Sequence, residues 1–207
     1  MRMIIARHAE TIYNANARMQ GQMAHTPLTR TGIAQAEAMG EALAGLLGRT
    51  PDLDIWASPA GRTLQTVSIV AEHLGHDYFD IRTDPRLLEI DVGSWEGRRY
   101  ADIVAEHGEI FCTERRIFTR IADDGEWYPA IAERLRGWLD DLAPGRDVLV
   151  ISHGITLRVL RGLLGGGTAF EGVTLADDAA QGTVFEIVEG VQSVLHHGAG
   201  HTAVRAV

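Results

Sequence analysis

Two arginines and two histidines lie at the end of an apolar run or a few residues after it. Arg7 and His8 follow "MIIA", Arg62 follows "SPAG", and His153 follows "VLVIS". Together these side chains suit a phosphoryl group, because the planar fork of arginine pairs with two phosphate oxygens and stays charged. A neutral histidine beside them can attack phosphorus as a nucleophile, and the neighbouring positive charge favours the neutral ring.

Phosphoryl transfer of this kind also needs a proton donor for the leaving oxygen. The segment 87–97, "LLEIDVGSWEG", offers three carboxyl candidates, Glu89, Asp91 and Glu96. A carboxyl group that works as an acid at neutral pH needs a raised pKa. The residue types alone leave the choice among the three open.

The elements that must position these residues alternate between strand and helix. Apolar runs predict strands at 2–6, 54–58, 78–84 and 147–152. Helical spacing of apolar residues predicts helices at 26–48, 58–75, 98–108, 128–142 and 155–167, and residues 182–190 and 191–198 resemble a terminal hairpin. The pattern predicts a three-layer α/β/α sandwich with a mostly parallel central sheet, as a single domain over 1–207.

The junctions between strand and helix are the expected location of the site. Carboxyl ends of parallel strands share one edge, so Arg62 and the two histidines are expected to meet there. Ser58 and Pro59 suit the N-cap and first position of their helix. Helix N-termini at 59 and 154 would add N–H donors for an anion, which assigns Gly154 to substrate binding.

Composition excludes several kinds of partner and mechanism. The net charge of −9 argues against a nucleic-acid or anionic-membrane partner. The one cysteine, Cys112, is expected to be buried and inert, and it allows neither an internal disulfide nor a cysteine zinc cluster. All 19 basic residues other than histidine are arginine, so mechanisms that use a Walker or Schiff-base lysine are excluded.

The length of the apolar runs indicates the cellular setting of the protein. The N-terminus turns polar after a few apolar residues, and no apolar run has the length of a membrane span. We therefore expect a soluble cytoplasmic protein, and the arginines and histidines described above predict a small phosphorylated substrate. A homo-oligomer remains open, because the sequence does not indicate the oligomeric state.

Five ordered blocks carry a resemblance to a known family. They are "RHAETIYN", "QGQMAHTPLTRTG", "SPAGRTLQT", "LLEIDVGSWEG" and "SHG". Over residues 3–158 the chain resembles the histidine phosphatase superfamily, the phosphoglycerate mutase-like enzymes, in its phosphatase branch. The resemblance implies a phosphoglycerate mutase-like fold and a reaction that needs no metal or other cofactor.

The resemblance also implies a role for each matched residue. His8 corresponds to the phosphorylated nucleophile and Glu89 to the proton donor. The other matched positions correspond to the phosphate pocket and to the substrate side of the site: Arg7, Arg62, His153, Asn14, Gln20 and Gly21.

Three positions depart from the commonest family pattern. Ala9 replaces glycine in the Arg-His-Gly triplet, a change that should not affect catalysis because alanine needs only an ordinary φ. His25 stands where an acidic residue is common, and Trp127 replaces the serine of a Gly-Glu-Ser loop. The last two changes bear on substrate specificity rather than on the chemistry.

Three functions remain in order of preference. The first is a phosphohydrolase that works through a phosphohistidine; the second is a phosphoglycerate mutase dependent on 2,3-bisphosphoglycerate; the third is a non-catalytic phosphoryl-binding module. The section 98–146 is short for the longer mutase form, which favours the phosphatase. The histidines of "HHGAGH" at 196–201 suggest a metal site, but a solvated strand end or tail is the better interpretation, because adjacent strand residues point to opposite faces.

Overall fold

The computed structural model describes residues 1–199. Within them the strands are β1 (Arg2–Arg7), β2 (Asp54–Ala57), β3 (Arg82–Thr83), β4 (Phe111–Cys112), β5 (Ile117–Phe118), β6 (Val148–Ser152), β7 (Thr168–Phe170), β8 (Val173–Leu175), β9 (Val184–Val188) and β10 (Val191–His196). The helices are α1 (Ile12–Ala15), α2 (Arg30–Leu47), α3 (Gly61–Leu74), α4 (Tyr100–His107), α5 (Tyr128–Asp140) and α6 (Gly154–Gly165), with 3₁₀ turns at Tyr78–Asp80, Pro85–Leu87 and Gly93–Trp95.

A six-stranded sheet in the order β10-β9-β1-β6-β2-β3 organises the molecule. The strands β1, β6, β2 and β3 run parallel to one another, and β9 and β10 form an antiparallel edge beside β1. In the β1–β6 register Arg7 stands opposite Ser152, so both strands end at the same edge of the sheet. The predicted mostly parallel sheet is confirmed.

Helices cover both faces of this sheet. Alternate residues of β1 point to opposite sides, as the period of a strand requires. Ile4 belongs to a core with α2 and α3, and Ile5 belongs to a core with α5 and α6. The three-layer α/β/α arrangement follows from these two cores.

Two predicted elements differ from the structure at their boundaries. The strand expected at 78–84 is a 3₁₀ turn followed by the two-residue strand β3. The helix expected from Ser58 begins at Gly61, and its N-cap, Ala60, makes no side-chain cap bond. The hydroxyl oxygen of Ser58 accepts the Ala60 N–H at 3.3 Å, before the helix begins, and contacts His153 at 2.7 Å, so it does not cap the first turn of the helix.

Two small hairpins were not predicted. Strands β4 and β5 form one, and β7 and β8 form the other. The first hairpin is held by tertiary contacts, since the backbone N–H of Phe118 donates to the Tyr128 hydroxyl at 2.9 Å. Cys112, which was expected to be buried, is half-buried on β4.

The C-terminal hairpin was predicted correctly, as β9 and β10. His196 and His197 line a groove against Gln35 of α2. Residues 1–199 hold no group of three or more metal-ligating side chains, and His201 of the proposed histidine cluster lies outside them.

None of the helices described in this range is both long and apolar enough to span a membrane.

Candidate active site

The carboxyl edge of the sheet brings the two histidines together. His8 follows β1 and His153 follows β6, and the backbone N–H of His8 donates to the Ser152 carbonyl at 2.9 Å. The two ring centroids lie 5.2 Å apart. Both side chains are almost fully buried. The sequence prediction that separate strand ends converge here is therefore correct.

His8 keeps one ring nitrogen available. Its Nδ1 lies 2.7 Å from the Ala9 carbonyl, an acceptor only, so Nδ1 carries the proton and Nε2 carries the lone pair. Burial holds the pKa of His8 well below its usual value, and the charges of Arg62 and Arg7 lower it further. A neutral imidazole with a free Nε2 is the form that can attack phosphorus.

His153 uses both ring nitrogens within the protein. Its Nδ1 accepts a hydrogen bond from Arg62 Nε at 3.1 Å, which leaves the proton on Nε2. That N–H donates to the hydroxyl of Ser58 at 2.7 Å. Burial, followed by the charge of Arg62, lowers the pKa of His153 well below its usual value. His153 is therefore also neutral, but its lone pair is occupied.

Arg62 connects His153 to the loop that follows α1. Besides its bond to His153, it donates to the carbonyls of Gly21 at 2.8 Å and Met23 at 3.1 Å, and to the Thr26 hydroxyl at 2.9 Å. The side chain is 1% exposed, and burial lowers its pKa to about 10. It still carries its charge at neutral pH.

Arg7 reaches the site from the end of β1. Its terminal Nη1 donates to the Ala179 carbonyl at 2.5 Å, and its Nε is buried without a hydrogen-bond partner among the described residues. Burial lowers the pKa of Arg7, and Asp178 is the largest charge opposing that change. Arg7 lines the pocket, so its guanidinium adds positive charge and N–H donors for an anion there.

Gly154 lies behind Arg7 rather than in the pocket wall. It begins α6, and a Cβ at this position would stand 3.3 Å from the guanidinium carbon of Arg7. The pocket-lining residues include Arg7 but not Gly154. Its assignment to substrate binding stays a prediction. In the structure, the absence of a side chain at Gly154 leaves room for the Arg7 guanidinium.

Glu89 meets the first turn of α6. Its carboxylate accepts hydrogen bonds from the backbone N–H groups of Ile155 at 3.2 Å and Thr156 at 3.0 Å. Of the three carboxyl candidates, Glu89 lines the pocket and Asp91 and Glu96 do not. Burial raises the pKa of Glu96, but its Oε1 is occupied by the backbone N–H of Gln22 at 2.6 Å. The geometry favours Glu89 as the proton donor.

Three of the four residues predicted to bind substrate line the pocket, namely Asn14, Gln20 and Gly21. The Asn14 side-chain oxygen accepts from the backbone N–H of Thr11 at 3.1 Å, and the Gln20 side-chain oxygen accepts from the Thr11 hydroxyl at 2.8 Å. These bonds occupy the amide oxygens of the two side chains and not their amide nitrogens. Gly21 has φ +48°, and a Cβ there would stand 2.6 Å from Val92, so the chain turn requires glycine.

A model of the histidine phosphatase superfamily, branch 1, matches residues 3–199. The chain belongs to the histidine phosphatase superfamily. Among its sequence relatives, a Cronobacter sakazakii protein named "Probable phosphoglycerate mutase GpmB" is 36% identical over 167 residues, covering 77% of this chain and 73% of the relative. A Yersinia pestis protein of the same name is 33% identical over 174 residues, covering 80% of this chain and 75% of the relative.

Solved structures with similar folds include phosphatases. A mycobacterial glucosyl-3-phosphoglycerate phosphatase has a TM-score of 0.75 and 25% identity, covering 96% of this chain and 99% of that one. An alpha-ribazole phosphatase from Shigella flexneri has a TM-score of 0.72 over 97% of this chain and all of that one. At 24% identity the second likeness shows the fold alone.

Several residues of this histidine phosphatase site were missed by the sequence analysis. The apolar and aromatic part of the pocket wall was not predicted, although two of its members, Ile90 and Val92, lie inside the block "LLEIDVGSWEG": Met19, Ile90, Val92, Tyr100, Phe118 and Ile155. Ser58 contacts His153 through its hydroxyl, and Thr156 donates its backbone N–H to Glu89. Both are hydroxyl residues next to a strand–helix junction. That position was the available signal, but it was interpreted as capping chemistry at Ser58 and not considered at Thr156.

Trp127 takes part in packing rather than in the pocket wall. It precedes α5 as its N-cap residue and packs edge-on against Tyr128, with ring centroids 4.9 Å apart. Phe170 of β7 completes this cluster, with its ring centroid 6.3 Å from that of Trp127 and 5.1 Å from that of Tyr128. The lining of the pocket includes neither Trp127 nor His25, the two positions where the chain departs from the family on the substrate side.

Proposed function

We propose that this protein is a phosphomonoesterase that acts through a phosphohistidine on a small phosphorylated metabolite and needs no metal. The observation that carries the proposal is the hydrogen bonding of His8. Its Nδ1–H is held by the Ala9 carbonyl, and its Nε2 is left with a lone pair beside two cations, Arg7 and Arg62. These cations supply the charge stabilisation that phosphoryl transfer needs.

In the first step, Nε2 of His8 forms a bond to phosphorus while the bond from phosphorus to the leaving oxygen breaks. The carboxyl group of Glu89 gives its proton to that oxygen, and the alcohol departs. In the second step a water oxygen attacks phosphorus, the N–P bond breaks, and the Glu89 carboxylate takes the proton of the water. Inorganic phosphate leaves, and both His8 and Glu89 return to their starting states.

The charges near the pocket favour the phosphatase over the mutase. A phosphoglycerate carries a carboxylate besides its phosphate, whereas Arg7 and Arg62 are the cations among the described lining residues. The nearby turn of the β4–β5 hairpin directs its arginines to protein partners. Arg115 lies over the Phe170 ring at 5.0 Å, and Arg116 Nε pairs with Asp178 at 2.8 Å.

Phosphate release tests this function directly. We expect the wild-type protein to hydrolyse an aryl phosphate in the presence of EDTA, and we expect brief incubation with substrate to trap an acid-labile phosphoenzyme. His8→Ala should show neither property. Activity that EDTA removes, or that survives in His8→Ala, would contradict the proposed mechanism.

The names of the sequence relatives favour phosphoglycerate mutase as a second candidate. That reaction returns the phosphoryl group from His8 to a hydroxyl of the sugar acid. The test is 3-phosphoglycerate with a catalytic amount of 2,3-bisphosphoglycerate. Conversion to 2-phosphoglycerate with retained phosphate would support the mutase. Release of inorganic phosphate would support the phosphatase, and the absence of any reaction would rule out the mutase. Phosphate binding without any phosphoenzyme would instead support a non-catalytic module.

A further inference from the structure

Arg134 of α5 reaches across to the segment that carries Glu89. Its Nη1 donates to the Arg86 carbonyl, and its Nη2 lies 3.4 Å from the Glu89 carbonyl. The same Nη2 lies 3.4 Å from the hydroxyl of Thr156. One guanidinium therefore contacts both the segment before Glu89 and the helix end that receives the Glu89 carboxylate.

Glu126 fixes the orientation of that guanidinium. Its two carboxylate oxygens accept from Arg134 Nε at 2.7 Å and Nη2 at 3.0 Å, which is the two-pronged pairing that arginine and carboxylate favour. The Arg134 and Glu126 side chains are 15% and 14% exposed, so water screens the attraction between their charges little.

Glu126 also binds the same segment through its own backbone. Its N–H donates to the Asp91 carbonyl at 2.8 Å, and the Asp91 N–H approaches the Glu126 carboxylate at 3.4 Å. The segment 86–91 is thus held before, at and after Glu89. Thr156 completes the arrangement, because its hydroxyl donates to the Leu88 carbonyl at 2.7 Å.

We propose that Arg134 and Glu126 form a positioning unit that fixes the segment 86–91 so that the Glu89 carboxyl faces the pocket at the N-terminus of α6. This inference rests on the proposed function, since it assigns the unit to proton donation by Glu89. Neither residue lines the pocket, so the unit acts through Glu89 and does not touch the substrate. A general acid contributes only when its proton is held within reach of the leaving oxygen.

The test compares two leaving groups. Propyl phosphate releases a poor leaving group that needs a proton, whereas 2,4-dinitrophenyl phosphate releases a stable phenolate that does not. We expect Arg134→Gln to lower kcat/KM for propyl phosphate by about 10- to 100-fold, and to lower it for the dinitrophenyl ester by less than about 3-fold. Glu126→Gln should show the same selectivity to a smaller degree. Arg134→Lys should recover part of the loss because it keeps the charge but not the fork.

Arg136→Gln is the matched control, since it makes the same substitution two residues further on, at an exposed position of α5. It should leave both rate constants unchanged. An equal loss on the two esters in Arg134→Gln, or no loss on either, would overturn the positioning role. If Arg134→Gln does not fold, as judged by thermal unfolding, the same criteria apply to Glu126→Gln, which keeps the size of the side chain.

Glu89→Gln separates this proposal from the proposed function. If Glu89→Gln is selective for propyl phosphate and Arg134→Gln is not, the positioning role alone is wrong. If Glu89→Gln is not selective, the proton-donor role of Glu89 is wrong and the positioning role falls with it. If the wild-type protein hydrolyses neither ester, the proposed function falls as well. When both roles hold, adding Arg134→Gln to Glu89→Gln should cause little further loss on propyl phosphate, because the two residues act through one proton.

Discussion

The two strand ends that form the site place a buried histidine in two different settings. His8 and His153 are both buried and both have a lowered pKa, and Arg62 is the charge that interacts most strongly with each ring. They differ in hydrogen bonding: His8 has a backbone carbonyl at Nδ1, and His153 has a side-chain partner at each ring nitrogen. Burial and charge therefore make both rings neutral, but only the hydrogen bonds indicate which ring can attack.

The largest expected effect is on activity when the nucleophile is removed. His8→Ala should lower kcat/KM for an aryl phosphate by at least about 10⁴-fold, because no other ring has a free lone pair in the described site. The measurement is phosphate release, with phosphoenzyme trapping as the second readout. A smaller loss with a phosphoenzyme still present would mean that another residue is the nucleophile.

His153→Ala should cost less, about 10²- to 10³-fold, since it removes a positioning partner of Arg62 and not the attacking group. The distinguishing measurement is quench-flow trapping of the phosphoenzyme, which should form slowly but still form at His8. The contrast between the two histidines would be lost if His153→Ala formed no phosphoenzyme at all.

Stability should fall in mild acid because of both rings. The unfolded chain binds a proton at each histidine below about pH 6.5, whereas the folded chain does not until the pH reaches the lowered pKa values. The free energy of unfolding should therefore decrease below pH 6.5, by about 1.4 kcal/mol per pH unit for each ring. Above that pH neither ring contributes to the dependence.

Urea unfolding between pH 5 and pH 8 measures this effect. In His8→Asn or His153→Asn the part of the slope due to the substituted ring should disappear, while the other ring keeps its part. An unchanged slope in either variant would show that its ring is not held neutral in the folded protein.

The smallest expected effects are at the partners of the two rings. Ala9→Gly should change kcat by less than about 3-fold, because the acceptor for His8 is the main-chain carbonyl and survives the substitution. Ser58→Ala should have the larger effect, since it leaves the buried Nε2–H of His153 without its acceptor at a cost of about 1–3 kcal/mol. Steady-state rates and urea unfolding of both variants test the order, and a larger effect at Ala9 would reverse it.

The sequence was sufficient to predict the convergence of the site. The buried strands of 2–6 and 147–152 have unambiguous apolar runs, and parallel pairing then requires Arg7 and His153 to end at one edge. The choice of His8 over His153 as nucleophile came from the family resemblance. From the residues alone, both are histidines after a buried strand, and their hydrogen bonds depend on tertiary contacts.

Other features have no local signal. The β4–β5 hairpin has two-residue strands, and its place at the pocket depends on Tyr128, which is ten residues away from Phe118. The role of Ser58 was predicted wrongly because serine before proline is typical of a helix start. Arg134 fits the periodic pattern of an amphipathic helix, so nothing in the sequence distinguishes it from the exposed Arg136.

The two arginines of the site have unequal capacity to bind an anion. A guanidinium has five N–H groups. At Arg62, four of them have protein acceptors, on His153, Met23, Thr26 and Gly21. Arg62 can thus give a phosphate one hydrogen bond while the loop 21–26 keeps its place, and a second bond must be taken from that loop. Arg7, whose described hydrogen bond goes to Ala179, can present its fork without such an exchange. Occupancy of the pocket and order in the loop 21–26 are consequently coupled through one side chain.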